Sequence, residues 1–114
     1  MISGKYNLTI EQGTTFRQVF TYLSGSLPVN LTGHTARLNI SKKSFNSYNS
    51  FMDLTTENSK LVLGGALGTI TATLSASETL IFTDSDQYLY DLEIINAGTV
   101  SRLLRGKLII IQNV

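Results

Sequence analysis

The sequence predicts an all-β fold in which about seven to eight strands form two packed antiparallel sheets. Three observations lead to this prediction. Apolar and polar residues alternate with a period of two along most apolar segments. Turn signals rich in glycine, asparagine and serine separate these segments roughly every eight to twelve residues. Only one short segment, before the penultimate strand, carries a helix-start signal.

The length and composition fit a single domain that spans residues 1–114, with no internal repeat or domain boundary. Hydrophobic residues make up 42% of the chain and charged residues 15%. The first value excludes the disordered class, and the second is low against about 25% for ordinary soluble domains. A surface so poor in charge favours an assembly, in which neighbouring subunits cover part of the protein.

The charge balance and the cysteine content exclude several classes of function. Nine basic and eight acidic side chains leave a net charge of +1, too small for the field that nucleic-acid binding needs. The absence of cysteine excludes disulfides, thiol catalysis and thiolate metal sites. Since there is neither a signal-peptide pattern nor an apolar run of membrane-spanning length, we expect synthesis in a reducing compartment, without export by a cleaved signal and without membrane insertion.

The N-terminal segment predicts two strands, at residues 6–10 and 14–22, separated by a turn at Gly13. In the second strand an aromatic set competes for the inner face with a set that contains Val19. We expect the aromatic set to face the core. Tyr6, Leu8 and Ile10 share one side of the first strand, and Phe16 and Phe20 are the residues predicted to point inward in the second.

The middle of the chain predicts four strands, at residues 35–40, 52–56, 61–63 and 69–74. Their predicted inward residues are Leu38 and Ile40 in the first and Ile70 and Leu74 in the last. Between the first two strands, residues 41–50 are polar and do not alternate, which predicts a long loop. Phe45 and Tyr48 interrupt this loop and are candidate contact residues.

A corner follows, and it leads into the strongest strand of the chain. Ser75 and Glu78 have the spacing of a capping box, which predicts a short helical turn. Residues 84–86 then break the helix. Residues 88–95 alternate cleanly, so the side chains predicted to face the core are Tyr88, Tyr90, Leu92 and Ile94.

This order of helical turn, Asp86, Tyr88 and strand resembles the E–F corner of immunoglobulin-like sandwiches, in which a tyrosine hydrogen-bonds to the backbone upstream. The resemblance implies that Tyr88 is the corner tyrosine. It also implies that Tyr90 occupies the place of the strand-F cysteine. The predicted fold is therefore an immunoglobulin-like antiparallel β-sandwich.

The last strand, predicted at residues 100–111 after a turn at residues 96–98, has a less certain register. Residues 102–105 do not alternate, and a bulge near Gly106 would restore the phase. We take Leu108 and Ile110 as inward and leave the phase of Leu103 and Leu104 open. The candidate interface residues on this strand are Leu103, Ile109 and Ile111. At least two of these three cannot face the core while Leu108 and Ile110 do.

No motif specifies an enzyme, a cofactor or a metal ion. His34 has no acidic neighbour in the sequence that would orient it as a general base. Asp84 and Asp86 lack the further oxygen ligands of a calcium loop, so we interpret them as part of the corner. The glycines at residues 64–68 have no Lys-Ser/Thr pair of a phosphate-binding loop, and they predict a hairpin turn.

Several phrases, read together, resemble small uncharacterised proteins encoded among the virion structural genes of tailed bacteriophages. The likeness covers nearly the whole chain. A looser pattern is similar to the N-terminal immunoglobulin-like domain of phage baseplate upper proteins. The phrases are Tyr6-Asn-Leu-Thr-Ile-Glu-Gln-Gly-Thr-Thr-Phe16, Leu31-Thr-Gly-His-Thr-Ala-Arg37, Leu54-Thr-Thr-Glu-Asn58, Gly68-Thr-Ile-Thr71, Tyr90-Asp-Leu-Glu93 and Gly98-Thr-Val-Ser-Arg-Leu-Leu-Arg-Gly-Lys107.

The resemblance implies a structural or accessory protein of the virion, in the tail, baseplate, neck or capsid decoration. Its partners would be other copies of itself and other phage structural proteins, in a homo-oligomeric or hetero-oligomeric assembly. The alternative is a module of a phage adhesion device that recognises a glycan or protein on the host surface, because the same fold serves both roles. The resemblance brings no catalytic residues.

Overall fold

Two β-sheets enclose one apolar core in the computed structural model, which describes residues 4–112. A 3-10 turn spans Gly65–Leu67, and an α-helical turn, α1, spans Ala76–Thr79. The strands, in chain order, are β1 (Gly4–Lys5), β2 (Leu8–Glu11), β3 (Phe16–Thr21), β4 (Leu23–Ser24), β5 (Leu27–Pro28), β6 (Thr35–Ser44), β7 (Ser47–Thr55), β8 (Leu61–Leu63), β9 (Thr69–Leu74), β10 (Tyr88–Asn96) and β11 (Thr99–Ile111).

The strand order confirms the predicted immunoglobulin-like sandwich. The large sheet has the order β1-β11-β10-β6-β7, with β2 also paired to β11, and the small sheet has the order β3-β9-β8. With β3 as strand B, β6 as C, β7 as C′, β8 as D, β9 as E, β10 as F and β11 as G, this is the division of strands in immunoglobulin-like domains. One part of the prediction is corrected, because β1 and β2 run parallel to β11 while the other pairs are antiparallel.

The core contains most of the side chains that the alternation predicts. Two members are only partly buried: Phe16, the first residue of the edge strand β3, and Ile110, near the end of β11. Tyr6 is exposed although Leu8 and Ile10 on the same side are buried, because it lies in the gap between β1 and β2. The predicted core residues that are buried are Phe20, Leu38, Ile40, Ile70, Leu74, Tyr88, Tyr90, Leu92, Ile94 and Leu108, and Leu8 and Ile10 are buried with them.

The predicted long loop at residues 41–50 is wrong, since this segment is a hairpin. β6 continues to Ser44, β7 begins at Ser47, and Phe45 and Asn46 form the two-residue turn between them. The hairpin has no apolar alternation because its strands extend past the core. Backbone hydrogen bonds across the hairpin, in which Lys43 pairs with Tyr48, stabilise it instead of apolar packing.

The bulge in the last hairpin lies at Leu103 and not near Gly106. Leu92 pairs with Leu104 and Glu93 pairs with Arg102, so Leu103 is the extra residue. Gly106 has a different reason for being glycine, because a Cβ there would collide with the carbonyl of Tyr6. That carbonyl accepts a hydrogen bond of 2.5 Å from the buried Tyr90 hydroxyl.

The corner forms as its sequence predicts. The Ser75 hydroxyl accepts from the Glu78 N–H at 3.2 Å, and the Glu78 carboxylate accepts from the Ser75 N–H at 2.9 Å. Lys60 also bonds to Glu78 and, with Ser75, lowers the pKa of that carboxyl. The Tyr88 hydroxyl accepts a hydrogen bond of 3.1 Å from the N–H of Thr83, as in a tyrosine corner.

Tyr88 also belongs to an aromatic cluster that the sequence does not reveal. Its ring centre lies 5.1 Å from that of Phe82 and 5.4 Å from that of Phe51. Phe82 directly precedes Thr83, so one short segment supplies both the ring and the amide that hold the tyrosine. The cluster joins β7, the corner and β10 at the end of the sandwich that we call the corner end.

We expect Tyr88→Phe to lower the free energy of unfolding by about 0.5–1.5 kcal/mol, because the Thr83 N–H loses its acceptor while the ring contacts remain. Urea denaturation measures the change. Tyr48→Phe is the matched control, since Tyr48 is exposed on β7. Equal stability of both variants and the parent protein would contradict the role of the corner hydroxyl.

The β10–β11 turn offers a second test of the fold. Ala97 and Gly98 form a two-residue turn, and Ala97 adopts a φ of 50°, a conformation that asparagine tolerates and alanine does not favour. We expect Ala97→Asn to raise the free energy of unfolding by about 0.5–1 kcal/mol and Ala97→Val to lower it. Thermal denaturation of the two variants measures the direction of each change in the free energy of unfolding. A stabilising effect of Ala97→Val would contradict the assigned turn.

Candidate interaction surface

A cleft opens on the outer face of the large sheet at the corner end, with a volume of about 310 Å³. We call it the corner cleft. Three distant segments of the chain meet there: the β6–β7 hairpin, the corner, and the end of β11. A hydrogen bond of 2.9 Å from the Lys43 N–H to the Gln87 carbonyl ties the hairpin to the corner. The side chains that define the cleft are the exposed Tyr48, Asp84, Gln87, Lys107 and Ile109 and the partly buried Asp86.

The carboxylate of Asp86 is fixed within this cleft. It accepts a hydrogen bond of 2.5 Å from the Thr83 hydroxyl and lies 3.3 Å from the Lys42 ammonium. These partners, Thr83 first and Lys42 second, lower the pKa of Asp86. The cleft therefore keeps a negative charge at neutral pH. The sequence placed Asp86 in the corner but gave no sign of its pairing with Lys42.

Two isoleucines extend the apolar part of the surface along β11. Ile109 is 48% exposed and Ile111 49% exposed, since they alternate with the buried Leu108 and the partly buried Ile110. Leu103, the third candidate on this strand, whose phase the sequence leaves open, is partly buried and packs against the core. The bulge turns it inward.

The opposite half of the same sheet face is polar. Arg37 and Glu93 form an ion pair at 2.7 Å, and Asp91 lies 3.6 Å from Arg102 and 3.8 Å from Arg105. Such exposed pairs contribute about 0–1 kcal/mol each to stability. These ion pairs make this half of the face charged, whereas Ile109 and Ile111 lie at the corner end.

Phe45 is the most exposed of the predicted contact residues. Its side chain is 95% exposed at the tip of the β6–β7 hairpin, and its φ is 58°. A bulky residue in this region of backbone space is a genuine outlier. Tyr48, three residues along, is 41% exposed. The hairpin thus presents one aromatic side chain at its tip and one on its flank.

The remaining polar candidates do not assemble into a reactive site among residues 4–112. The Nδ1 atom of the His34 ring lies 3.2 Å from the Thr32 carbonyl, in a local contact. No group of three or more histidine, aspartate or glutamate side chains in this described range is placed to hold a metal ion. The range also contains no helix with the length and hydropathy to cross a membrane.

Sequence reasoning missed a buried polar residue that holds the corner in place. The Thr79 hydroxyl donates to the Thr14 carbonyl at 2.8 Å and accepts from the Gly13 N–H at 3.0 Å. The Gln12 side chain adds a 2.6 Å bond to the Phe82 carbonyl. These bonds tie the turn after β2 to the corner. Their partners lie more than sixty positions apart, so no local pattern signals them.

Asp86 provides a test of the electrostatics of the cleft. We expect Thr83→Val to raise the pKa of Asp86 towards its ordinary value of 3.8, and Lys42→Gln to raise it by less, because the hydroxyl contributes most. Since folding lowers this pKa, the interaction stabilises the fold above about pH 4 and is lost as pH falls through the lowered value. Carbon-detected NMR titration measures the shifts, and the reverse ranking would contradict the geometry.

Comparison with known proteins gives a likeness only at the level of structure. No protein-family model matches the chain, and no curated protein matches it. A solved structure from photo-crosslinking work on multimeric cell-adhesive interactions of VGSC beta subunits is similar, with a TM-score of 0.48 and 12% sequence identity. The likeness covers 97% of this chain and 95% of that chain. At this level it carries no conclusion about function, and the fold assignment rests on the strand order.

Proposed function

We propose that this chain is a structural or accessory protein of a tailed-phage virion, which acts through protein–protein contacts in a multi-copy assembly and catalyses no reaction. The observation that carries the proposal is the pair of half-exposed isoleucines, Ile109 and Ile111, on the outer face of β11. The phage context is supported by the resemblance of the sequence phrases, since the fold itself serves many functions.

The surroundings of the two isoleucines have the composition of an interface. The neighbouring strand β2 places Thr9 beside Ile109 and Glu11 beside Ile111, and Lys107 precedes them on β11. Such an arrangement, apolar in the centre and polar at the rim, is typical of protein contacts. Fully burying an isoleucine is worth about 1.5–3 kcal/mol, so covering the exposed half of each adds roughly 1 kcal/mol.

A second function is favoured by the corner cleft. Tyr48 offers an aromatic ring, and Asp84, Gln87 and Lys107 offer hydrogen-bonding groups around the same space. A sugar ring has an apolar face and a rim of hydroxyl groups, so it matches this pairing of an aromatic ring with polar side chains. The alternative proposal is therefore a module that recognises a glycan of the host surface.

Ile109→Lys and Ile111→Lys test the first proposal. We expect the parent protein to associate as its concentration rises and each lysine to weaken association at least tenfold, because a charge enters an apolar contact. Sedimentation velocity measures the association. Val62→Lys is the matched control, since Val62 is 59% exposed on β8 of the other sheet. A protein that stays monomeric at high concentration would contradict the proposal.

The two proposed functions differ in their response to one further variant. Tyr48→Ala is expected to leave assembly unchanged and to abolish binding to a glycan array only if the corner cleft is a sugar site. Mass spectrometry of purified phage particles provides the direct measurement for the first proposal. Presence at several copies per particle supports a virion component, and absence from the particle contradicts it.

A further inference from the structure

The charged half of the outer face of the large sheet is ordered in two rows that cross four strands. In the first row Asp91 of β10 lies opposite Arg105 of β11 and opposite Asn39 of β6, and Asn39 lies opposite Asp53 of β7. The Asp91 carboxylate is 3.8 Å from Arg105, and the Asp53 carboxylate accepts a hydrogen bond of 2.5 Å from Asn39. From β11 to β7 this row therefore reads positive, negative, neutral, negative.

The second row lies two residues further along the strands. Glu93 of β10 lies opposite Arg102 of β11 and opposite Arg37 of β6, and Arg37 lies opposite Thr55 of β7. In the same order of strands it reads positive, negative, positive, neutral. A depression of about 230 Å³ is lined by side chains of both rows, so the two rows share one face.

The charges at the two edges of this face are not balanced within the chain. Arg102 and Arg105 both approach the single carboxylate of Asp91, at 3.6 and 3.8 Å. At the other edge Asp53 is exposed, and among residues 4–112 no lysine or arginine nitrogen lies within 4.0 Å of its carboxylate. Arg105 and Asp53 are three strands apart, about 14 Å at the usual strand spacing, which is too far for an ion pair in one chain. The face thus has excess positive charge along β11 and excess negative charge along β7.

Such a face is complementary to a second copy of itself in one orientation. A two-fold axis that runs parallel to the strands, between β10 and β6, places β11 of one copy over β7 of the other and β10 over β6. Each row then lies over the same row of the second copy in reverse order, and no like charges meet. The facing pairs are Arg105 with Asp53, Asp91 with Asn39, Glu93 with Arg37, and Arg102 with Thr55.

Charge excludes the other two-fold orientation of the face. An axis perpendicular to the strands, in the plane of the face, places every strand over the same strand of the second copy. Arg105 then lies over Arg105 and Asp91 over Asp91. With a shift of one row, Arg105 lies over Arg102 and Asp91 over Glu93. Like charges face each other in both cases and oppose association, so the charges select the orientation parallel to the strands.

We propose that the outer face of the large sheet pairs two copies of this chain about a two-fold axis parallel to the strands, with Arg105 of each copy in an ion pair with Asp53 of the other. This inference rests on the proposed multi-copy assembly and names a contact within it. The contact is closed, because each copy presents the same face to the other. Several charges act together in it, whereas an isolated exposed ion pair contributes little. Because salt screens such charges, the pairing is expected to weaken as ionic strength rises.

Charge reversal tests the pairing directly. We expect Asp53→Arg and Arg105→Glu each to weaken self-association roughly tenfold or more in sedimentation velocity, because each new side chain faces a like charge. A mixture of the two variants should associate again, since the two new charges face each other and the two original ones do so as well. The double variant should self-associate for the same reason. Circular dichroism checks that each variant is folded, and Asp53→Asn or Arg105→Gln replaces a reversal that does not fold and should weaken association by less.

Arg17→Glu is the matched control for the mixture. Arg17 is exposed on β3 of the small sheet, and its reversal changes the net charge by the same amount as Arg105→Glu. We expect Arg17→Glu to self-associate like the parent protein and not to rescue Asp53→Arg. Equal rescue by Arg17→Glu would show unspecific attraction between proteins of opposite charge and would overturn the proposal.

The remaining outcomes separate this contact from the assembly itself. Failure of either the mixture or the double variant to recover association would overturn the pairing. If the charge variants associate as the parent protein does while Ile109→Lys prevents association, assembly stands and the Arg105–Asp53 contact is wrong. A parent protein that stays monomeric overturns both proposals.

Discussion

The inner face of β10 is the constraint on which the rest of the sandwich depends. Its four inward side chains, at positions 88 to 94, are all buried, and the strand is paired along its length to β6 on one side and β11 on the other. A slip of one residue would turn Asp91 and Glu93 into the core, so the register is strongly fixed. Through Tyr88 this strand holds the corner, and through Tyr90 it holds the backbone between β1 and β2.

The fold was predictable where one face of a strand is exposed to solvent and the other is buried in the core. β9 and β10 alternate because each lies on the core with one face towards solvent, and the capping box before β10 is a local signal. The β6–β7 hairpin was not predictable, because both its faces meet water beyond Ile40. The parallel pairing of β2 with β11 was also missed, since it joins positions 100 residues apart, such as Leu8 and Leu108.

The candidate site was predictable only in its parts. Ile109 and Ile111 follow from the phase of β11, and the aromatic residues at 45 and 48 stand out in a polar segment. The phase of Leu103 could not be decided because residues 102–105 fit a bulge at more than one position. The corner cleft combines side chains from three segments, and this arrangement leaves no periodic trace in the sequence.

The parallel pairing of β2 with β11 has a consequence for folding during synthesis. Leu8 and Ile10 leave the ribosome about a hundred residues before Leu108 and Ile110, which lie opposite them. Closing a loop of that length costs roughly 4 kcal/mol of chain entropy, which must be overcome before this pairing contributes any stability. The nascent chain therefore carries an unpaired apolar strand until its last strand emerges, and folding of the large sheet is expected to be completed only after translation of β11.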